Sequence, residues 1–164
     1  FNLRSSIASI MEVLERLPTS ILICCTNNAL RSPMAEGIVK FLQGHVLRVS
    51  SVGVRAGTLD QFAVTVMHEI GIDISTHSPR TTEALPCSSF DLILSLSPEA
   101  QHHAVYISQT TDTKLVFWNT FDPSYVEGNR EVRLAAYRDV RDTLFDRFKG
   151  YFVELGLAVG GPQV

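Results

Sequence analysis

Residues 25–32 read CTNNALRS, and this stretch decides the fold of the chain. The apolar run ILIC at residues 21–24 precedes it, and PMAE at residues 33–36, which can begin a helix, follows it. In the order strand, loop, helix, the backbone N–H groups of the loop can converge on one point, and the positive end of the helix faces the same point. The stretch therefore predicts a binding site for an oxyanion.

Two residues of this loop suit chemistry on a bound anion. Cys25 would lie at the floor of the loop, where a helix N-terminus and a guanidinium favour the nucleophilic thiolate over the thiol. Arg31 can donate a planar pair of hydrogen bonds to the oxygens of a phosphoryl group. Ser32 can hydrogen-bond the thiolate or cap the helix, and Asn28 offers a donor and an acceptor inside a turn. We expect phosphoryl transfer to sulfur; the alternative is a buried structural Cys25 beside an exposed Arg31.

The composition narrows the functional classes. A chain of 164 residues predicts one domain, and 45% hydrophobic with 19% charged residues is typical of a soluble globular protein. A net charge of -3 gives no support to nucleic-acid or membrane partners. Three cysteines, two of them adjacent, favour a reducing cytoplasm over a disulfide framework. The sequence has no apolar run near the roughly 18 residues of a membrane span and no signal-peptide pattern.

Alternating strands and helices with short connections predict a doubly wound α/β fold, in which ligands bind beyond the carboxyl ends of the strands. Gly44 is expected to end the first helix of this fold in a left-handed conformation. The predicted strands are residues 20–24, 46–50, 90–96 and 114–117, and the predicted helices are residues 32–43, 62–70, 97–106 and 129–152, with a short helix beginning at Ser78-Pro79. The predicted buried side of the last helix comprises Val132, Ala135, Ala136, Val140, Leu144 and Phe148, with Arg138, Asp139, Arg141 and Asp142 on its solvated flank.

The first eighteen residues predict an additional amphipathic helix that ends at Pro18. We expect its apolar stripe to pack on its own domain. The alternative is a helix that binds a partner protein or forms a homodimer. Residues 19–155 would form the remainder of the domain, and residues 156–164 a loose tail.

The loop resembles the active-site loop of the low-molecular-weight protein tyrosine phosphatase family, which runs C-x-G-N-x-C-R-S. This family also includes the thioredoxin-coupled arsenate reductases. The resemblance covers about residues 20–152 and continues at PMAEG (33–37), SVG (51–53), EIGIDISTH (69–77), FDLIL (90–94) and DP (122–123). It implies a four-stranded parallel sheet of order 2-1-3-4 with helices on both faces.

The resemblance also implies roles for individual residues. Cys25 would be the nucleophile, Arg31 the clamp on the phosphoryl oxygens, and Asp122 the general acid and base, although an Asp-Pro pair by itself is usually only a turn. No metal ion or other cofactor is expected. The residues expected around the substrate are Thr26, Asn27, Asn28, Ala29, Leu30, Ser32 and Tyr125.

The resemblance implies that four side chains hold the loop in shape. Asn28 would hydrogen-bond Ser51 and His77, and Ser32 would support it from the start of the helix. Ser51 and His77 each have a plainer interpretation. Ser51 could be an ordinary turn residue, and His77 could cap a helix away from the site.

Three loop positions depart from the family pattern. Asn27 replaces the usual Gly, and Asn tolerates the left-handed region better than other non-glycine residues, so the loop can still close. Leu30 replaces a second loop cysteine that can trap an oxidised nucleophile as a disulfide, so we expect oxidation to inactivate this protein more easily. Ala29 stands where relatives select the phospho-residue, which leaves aryl and guanidino phosphates both open.

The sequence therefore favours a metal-independent phosphatase that forms a phosphocysteine at Cys25. Its substrate would be a phosphorylated protein, most simply at phosphotyrosine, or a small phosphomonoester, and phosphate, sulfate or arsenate-type anions would bind the loop. The second hypothesis is an arsenate reductase coupled to an external thiol, because Ser97 stands where the thioredoxin-coupled members have their first relay cysteine and only Cys87 lies elsewhere. The third is a non-catalytic oxyanion or phosphoprotein sensor, which would not need Asp122.

Overall fold

The computed structural model describes residues 3–157, except for the side chains of Ile10 and residues 12–16. The strands are β1 (Ser20–Cys25), β2 (Arg48–Gly53), β3 (Leu92–Ser95) and β4 (Lys114–Phe117). The helices are α1 (Leu3–Arg16), α2 (Arg31–Gln43), α3 (Gln61–Glu69), α4 (Pro98–Ile107) and α5 (Arg130–Glu154), and short 3-10 turns lie at Thr82–Ala84, Cys87–Ser89 and Pro123–Tyr125.

The four strands form one parallel sheet in the order β2-β1-β3-β4, which confirms the predicted fold. In the register, Cys25 lies opposite Gly53 on β2, while Cys24 lies opposite Ser95 at the end of β3. The carboxyl ends of these strands therefore meet at one edge of the sheet, and residues 25–32 leave β1 at that edge.

Helices cover both faces of the sheet, as predicted. Ile21, Ile23 and Cys25 belong to a core formed with α2, α3 and α5. Leu22 and Cys24 belong to a second core on the other face, formed with α4. This division follows from the alternation of side chains along a strand and explains why β1 reads as a continuous apolar run.

Most predicted boundaries agree with the structure within two residues, but β2 begins and ends later than predicted. It spans Arg48–Gly53, so that Ser51 and Gly53 lie inside the strand. The left-handed end predicted at Gly44 is also wrong, because Gly44 has a right-handed φ of -62° and its N–H continues the helical pattern to the carbonyl of Lys40. A further turn then precedes the strand, since Leu47 N–H donates to the carbonyl of Gln43.

The short helix predicted at Ser78-Pro79 is absent from the described structure. Arg80 instead has its N–H bonded to Asn28 Oδ1, and its carbonyl accepts from Gly53 N–H. Thr81 forms a parallel bridge with Gly53. These bonds to neighbouring segments hold the backbone extended, and they take the place of the bonds that a helix would need.

The buried side of α5 is rotated from the predicted one along its first half. Val132 and Ala135 are exposed, whereas Leu134 and Tyr137 are buried. Arg141, predicted on the solvated flank, is buried as well. Its Nη1 donates at 2.8 Å to the carbonyl of Val66 and at 2.8 Å to Glu69. The packing of α3 against α5 explains the difference.

The helix α1 does not bury the described part of its apolar stripe. Leu3, Ile7 and Met11 are 64%, 51% and 52% exposed, so the expectation that they pack on their own domain is wrong. The homodimer through this helix stays a prediction. At the other end, Leu157 packs against the core and its N–H donates to the carbonyl of Phe152, whereas residues 158–164 of the predicted tail lie outside the described residues.

Candidate active site

One pocket of about 200 Å³ lies at the carboxyl edge of the sheet. Cys25, Arg31 and Asp122 line it together, although 97 residues of sequence separate the first from the last. The remaining lining residues are Asn27, Ala29, Leu30, Gly57, Thr58, Asp60 and Ser124. The pocket is smaller than the roughly 300–1,000 Å³ typical of sites that enclose a drug-sized ligand, so it suits a tetrahedral anion and the group next to it.

Cys25 lies at the floor of this pocket and is only 2% exposed. Its Sγ is 2.9 Å from Ser32 Oγ, and Asn28 N–H donates to it at 3.2 Å. A hydroxyl and an amide that donate to a sulfur stabilise its anionic form. Cys25 also ends β1, and residues 26–30 connect it to the N-terminus of α2.

The guanidinium of Arg31 crosses from the loop to the far wall of the pocket. Its Nη1 donates at 3.0 Å to the carbonyl of Thr120, and its Nη2 lies 3.4 Å from Thr26 Oγ1 and 3.7 Å from Asp122 Oδ2. Thr26 Oγ1 in turn donates to Ser97 Oγ at 3.0 Å. Arg31 is 9% exposed, so the alternative of an exposed arginine in the first turn is wrong.

The carboxylate of Asp122 is held by the 3-10 turn that follows it. Its Oδ1 accepts from Ser124 N–H at 2.9 Å and from Ser124 Oγ at 2.7 Å. Its Oδ2 faces Arg31. Tyr125, predicted at the mouth, is 80% exposed and does not line the pocket, because the turn places Ser124 there instead.

Asn28 is the described non-glycine residue that has a positive φ, 51°. The expectation that Asn27 supplies the left-handed position is therefore wrong. The amide of Asn28 is fully buried, and its Nδ2 donates to Ser32 Oγ at 2.8 Å and to Ser51 Oγ at 2.9 Å. Its Oδ1 accepts from Arg80 N–H at 3.0 Å and from His77 Nε2 at 2.9 Å. One side chain thus ties the loop to β2 and to the segment after α3.

His77 is held neutral behind the loop. Burial lowers the pKa of its imidazole, even though the nearby Glu36 carboxylate favours the charged form. Because Asn28 Oδ1 can only accept, Nε2 carries the ring proton and donates it. The other ring nitrogen, Nδ1, lies 3.8 Å from Glu36 Oε2.

The segment after β2 forms one wall of the pocket, to which Gly57, Thr58 and Asp60 belong. The N–H groups of Val54, Arg55, Gly57 and Asp60 donate to the carbonyls of Cys25, Thr26, Asn27 and Ala29, respectively. This ladder places residues 54–60 directly against the loop.

Asp60 is a residue of this wall that the sequence analysis did not single out. Its Oδ1 accepts from Phe62 N–H and Ala63 N–H and so caps α3. Its Oδ2 accepts from the hydroxyl of Tyr137 at 2.6 Å, which joins the wall to α5. An Asp directly before a helical pattern is an N-cap signal, and that signal could have identified its position.

The other cysteines lie away from this pocket. Cys24 points into the core on the opposite face of the sheet. Cys87 precedes β3 and therefore lies towards the amino end of the strands, where its Sγ donates to the carbonyl of Ile107. Within residues 3–157, no cluster of three His, Cys, Asp or Glu side chains is arranged to hold a metal ion, and none of the described helices could span a membrane.

The comparison with known families agrees with this geometry. The sequence profile of the family described as low molecular weight phosphotyrosine protein phosphatase matches residues 20–156. The chain belongs to this family. Its relatives include an arsenate reductase of Halalkalibacterium halodurans, 36% identical over 136 residues that cover 83% of this chain and 96% of that protein. An arsenate reductase of Bacillus subtilis is 33% identical with the same coverage of both chains.

Solved structures of the family share the fold. The tyrosine phosphatase amsI of Erwinia amylovora has a TM-score of 0.72 at 22% identity and covers 84% of this chain and 93% of its own. An arsenate reductase in a phosphate-binding state has a TM-score of 0.66 at 26% identity and covers 84% and 98%. The tyrosine phosphatase Wzb of Escherichia coli K30, in complex with sulphate, has a TM-score of 0.71 at 24% identity and covers 85% and 100%.

Proposed function

We propose that the chain is a metal-independent phosphatase that hydrolyses aryl phosphomonoesters, in particular phosphotyrosine in proteins, through a phosphocysteine. The observation that carries the proposal is the convergence of Cys25, Arg31 and Asp122 on one small pocket. Binding alone needs an anion cradle and a guanidinium, but it does not need a carboxyl group at the same point. Asp122 therefore favours an enzyme over the non-catalytic sensor.

In the first step, the thiolate of Cys25 attacks phosphorus while the bond from phosphorus to the leaving oxygen breaks. The guanidinium of Arg31 and the N–H groups of residues 26–31 bind the three other oxygens, whose charge they stabilise. Asp122 gives its proton to the departing phenol oxygen. The products of this half-reaction are the free phenol and a phosphocysteine.

In the second step, water attacks the phosphorus of the phosphocysteine. Asp122, now a carboxylate, takes a proton from this water, and the P–S bond breaks to release inorganic phosphate and the thiolate. Ser32 Oγ, 2.9 Å from the sulfur, stabilises the thiolate as it leaves. Both steps balance without a metal ion or a redox partner.

The test is turnover of p-nitrophenyl phosphate with a chelator present. We expect Cys25→Ser to abolish turnover, while Asp122→Asn should lower kcat by about 10²- to 10⁴-fold, the usual contribution of general acid–base catalysis. Acid quenching of the wild-type reaction should trap phosphate on Cys25.

Matched controls exist for both changes. Cys87→Ser removes a partly buried thiol at the other end of the strands, and Asp112→Asn removes an exposed carboxylate, so both should retain wild-type turnover. Turnover that survives Cys25→Ser, or that requires an added divalent metal ion, would refute the proposal.

A second candidate function is arsenate reduction, which the relatives named arsenate reductases favour. Cys25 would attack arsenate and displace one arsenate oxygen as water. An external thiol would then attack the sulfur of Cys25, so that the S–As bond breaks with its electron pair on arsenic and arsenite leaves. The resulting mixed disulfide is reduced by a second thiol. The positions of Cys24 and Cys87 argue against a relay within the chain. Arsenite production from arsenate with glutathione or dithiothreitol, unchanged in Cys87→Ser, would support this function; no arsenite with either thiol would exclude it.

We also infer that the protein works in the cytoplasm. Cys24, Cys25 and Cys87 are all free thiols, and a nucleophilic thiolate needs a reducing compartment to stay reduced.

A further inference from the structure

Two arginines at the start of α5, Arg130 and Arg133, stack on the ring of Phe62, which is close in sequence to the pocket residue Asp60. The guanidinium carbon of Arg133 is 4.6 Å from the centroid of the Phe62 ring, and that of Arg130 is 5.5 Å from it. Phe62 follows the wall residue Asp60 by two positions and packs edge-on against Tyr137, with the centroids 5.4 Å apart. Because Tyr137 bonds Asp60, a continuous set of contacts leads from the pocket to these arginines.

The charges of Arg130 and Arg133 are not compensated by the part of the chain that the structure describes. Neither forms an ion pair with a carboxylate there, whereas Arg138 and Arg141 on the same helix bond Glu69. The two acidic groups of the pocket are already engaged, since Asp60 accepts from Tyr137 and Asp122 faces Arg31. Arg130 and Arg133 therefore carry positive charges that no carboxylate of the described residues pairs with.

The position of these arginines is also electrostatically unfavourable. They lie three residues apart in the first turns of α5, where two like charges face each other and the positive end of the helix dipole repels cations. Stacking on Phe62 offsets part of this repulsion. A bound anion between the two guanidinium groups would relieve the rest.

The size of the pocket determines what such an anion can be. A pocket of about 200 Å³ holds the phosphoryl group and the ring next to it, so the rest of a phosphoprotein substrate must lie on the surface around the mouth. We propose that Arg130, Arg133 and Phe62 form a surface that binds an acidic side chain flanking phosphotyrosine. This inference rests on the proposed phosphatase function and specifies its substrates as phosphotyrosine within acidic segments.

The test compares two phosphotyrosine peptides that differ only in their flanking residues, Glu in one and Gln in the other. For the wild-type protein we expect kcat/KM to be roughly 2- to 30-fold higher for the Glu peptide at low ionic strength, the effect of two exposed ion pairs. The difference should lie in KM rather than kcat, and it should shrink at high ionic strength.

The double variant R130Q/R133Q should reduce the ratio of the two kcat/KM values to about one. Because each variant is compared with itself on two peptides, a general loss of activity cancels in this ratio. The matched control is Arg147→Gln, which removes an exposed arginine that also stacks on an aromatic ring, Trp118, but lies four turns further along α5. It should keep the wild-type ratio.

Two results would overturn the proposal in different ways. Equal use of the two peptides by the wild-type protein, or a preference that survives in R130Q/R133Q, would refute the arginine surface while the phosphatase function stands. A wild-type protein that turns over neither peptide nor p-nitrophenyl phosphate would refute the phosphatase function, and the arginine surface with it.

Discussion

Replacing Asn28 by Ala tests what holds the candidate site in shape. Asn28 is fully buried, and its side chain makes four hydrogen bonds, to Ser32, Ser51, His77 and the N–H of Arg80. Alanine would remove all four and leave buried partners without a substitute. It would also have to adopt a φ of 51°, which a residue with Cβ disfavours.

The magnitude follows from these contacts. A hydrogen bond contributes roughly 0.5–1.5 kcal/mol net, so four contribute about 2–6 kcal/mol. The left-handed backbone adds about 1 kcal/mol for Ala relative to Asn. We therefore expect Asn28→Ala to lower the free energy of unfolding by roughly 3–7 kcal/mol, a large part of the 5–15 kcal/mol typical of a domain. Asn28→Gly should cost about 1 kcal/mol less, because Gly accepts this φ.

The assay is urea unfolding of the variants beside two controls. Ser51→Ala removes one of the four bonds and should cost about 1 kcal/mol. Asn27→Ala changes the exposed neighbour in the same loop and should cost under about 0.5 kcal/mol. If Asn28→Ala is no more destabilising than Asn27→Ala, the hydrogen bonds of Asn28 do not hold the loop, and the reasoning above is wrong.

Three further predictions concern other parts of the fold. Gly53→Ala should lower the free energy of unfolding by roughly 2–4 kcal/mol in a urea titration. A Cβ at this position would lie 2.3 Å from the carbonyl oxygen of Arg55 and 2.7 Å from the amide nitrogen of Asn28. A decrease below about 0.5 kcal/mol would contradict this close approach. The hydrogen bond from Arg138 lowers the pKa of Glu69 from 4.5 to about 2, so the stabilisation from this carboxylate is complete above its unfolded pKa and is lost as the pH falls towards 2. Glu69→Gln should therefore reduce the loss of unfolding free energy at acidic pH by about 0.2–1 kcal/mol, because the ion pair is partly exposed. An unfolding free energy with the same pH dependence as the wild type would refute the role of Glu69. Burial raises the pKa of the Cys24 thiol to about 12. Iodoacetamide at neutral pH should therefore modify Cys25 and leave Cys24 intact in the folded protein, which peptide mass mapping can check. Equal labelling of the two cysteines would show that Cys24 is not shielded.

The sequence predicts the parallel sheet and the site loop well because both are local patterns. A strand buried on two faces reads as an apolar run, and strand-loop-helix order fixes where Cys25 and Arg31 lie. Asp122 follows from its place after the fourth strand together with the family resemblance.

What the sequence does not predict depends on contacts between distant segments. Asn27 and Asn28 are equally able to adopt a left-handed conformation, and only the partners of the Asn28 amide select it. The sequence pattern predicts Arg141 at the surface. In the folded chain, α3 places Glu69 and the carbonyl of Val66 beside its guanidinium, and the side chain is buried. Ser78-Pro79 is a usual start of a helix. Here the backbone of Arg80 bonds instead to Asn28 and Gly53, and these long-range bonds keep the segment extended.

Ser97, two residues after β3, connects the choice between hydrolysis and arsenate reduction to the geometry of Arg31. Ser97 Oγ accepts from Ala100 N–H, which caps α4, and from Thr26 Oγ1, which contacts Arg31. Through Thr26, the serine therefore connects the guanidinium of Arg31 to the start of α4. A relay cysteine at the same place would have to leave these bonds in order to reach Cys25, and a thiol is the weaker hydrogen-bonding group. These hydrogen bonds of Ser97 therefore support the proposed phosphoryl transfer at Cys25 rather than a disulfide relay through the α4 segment.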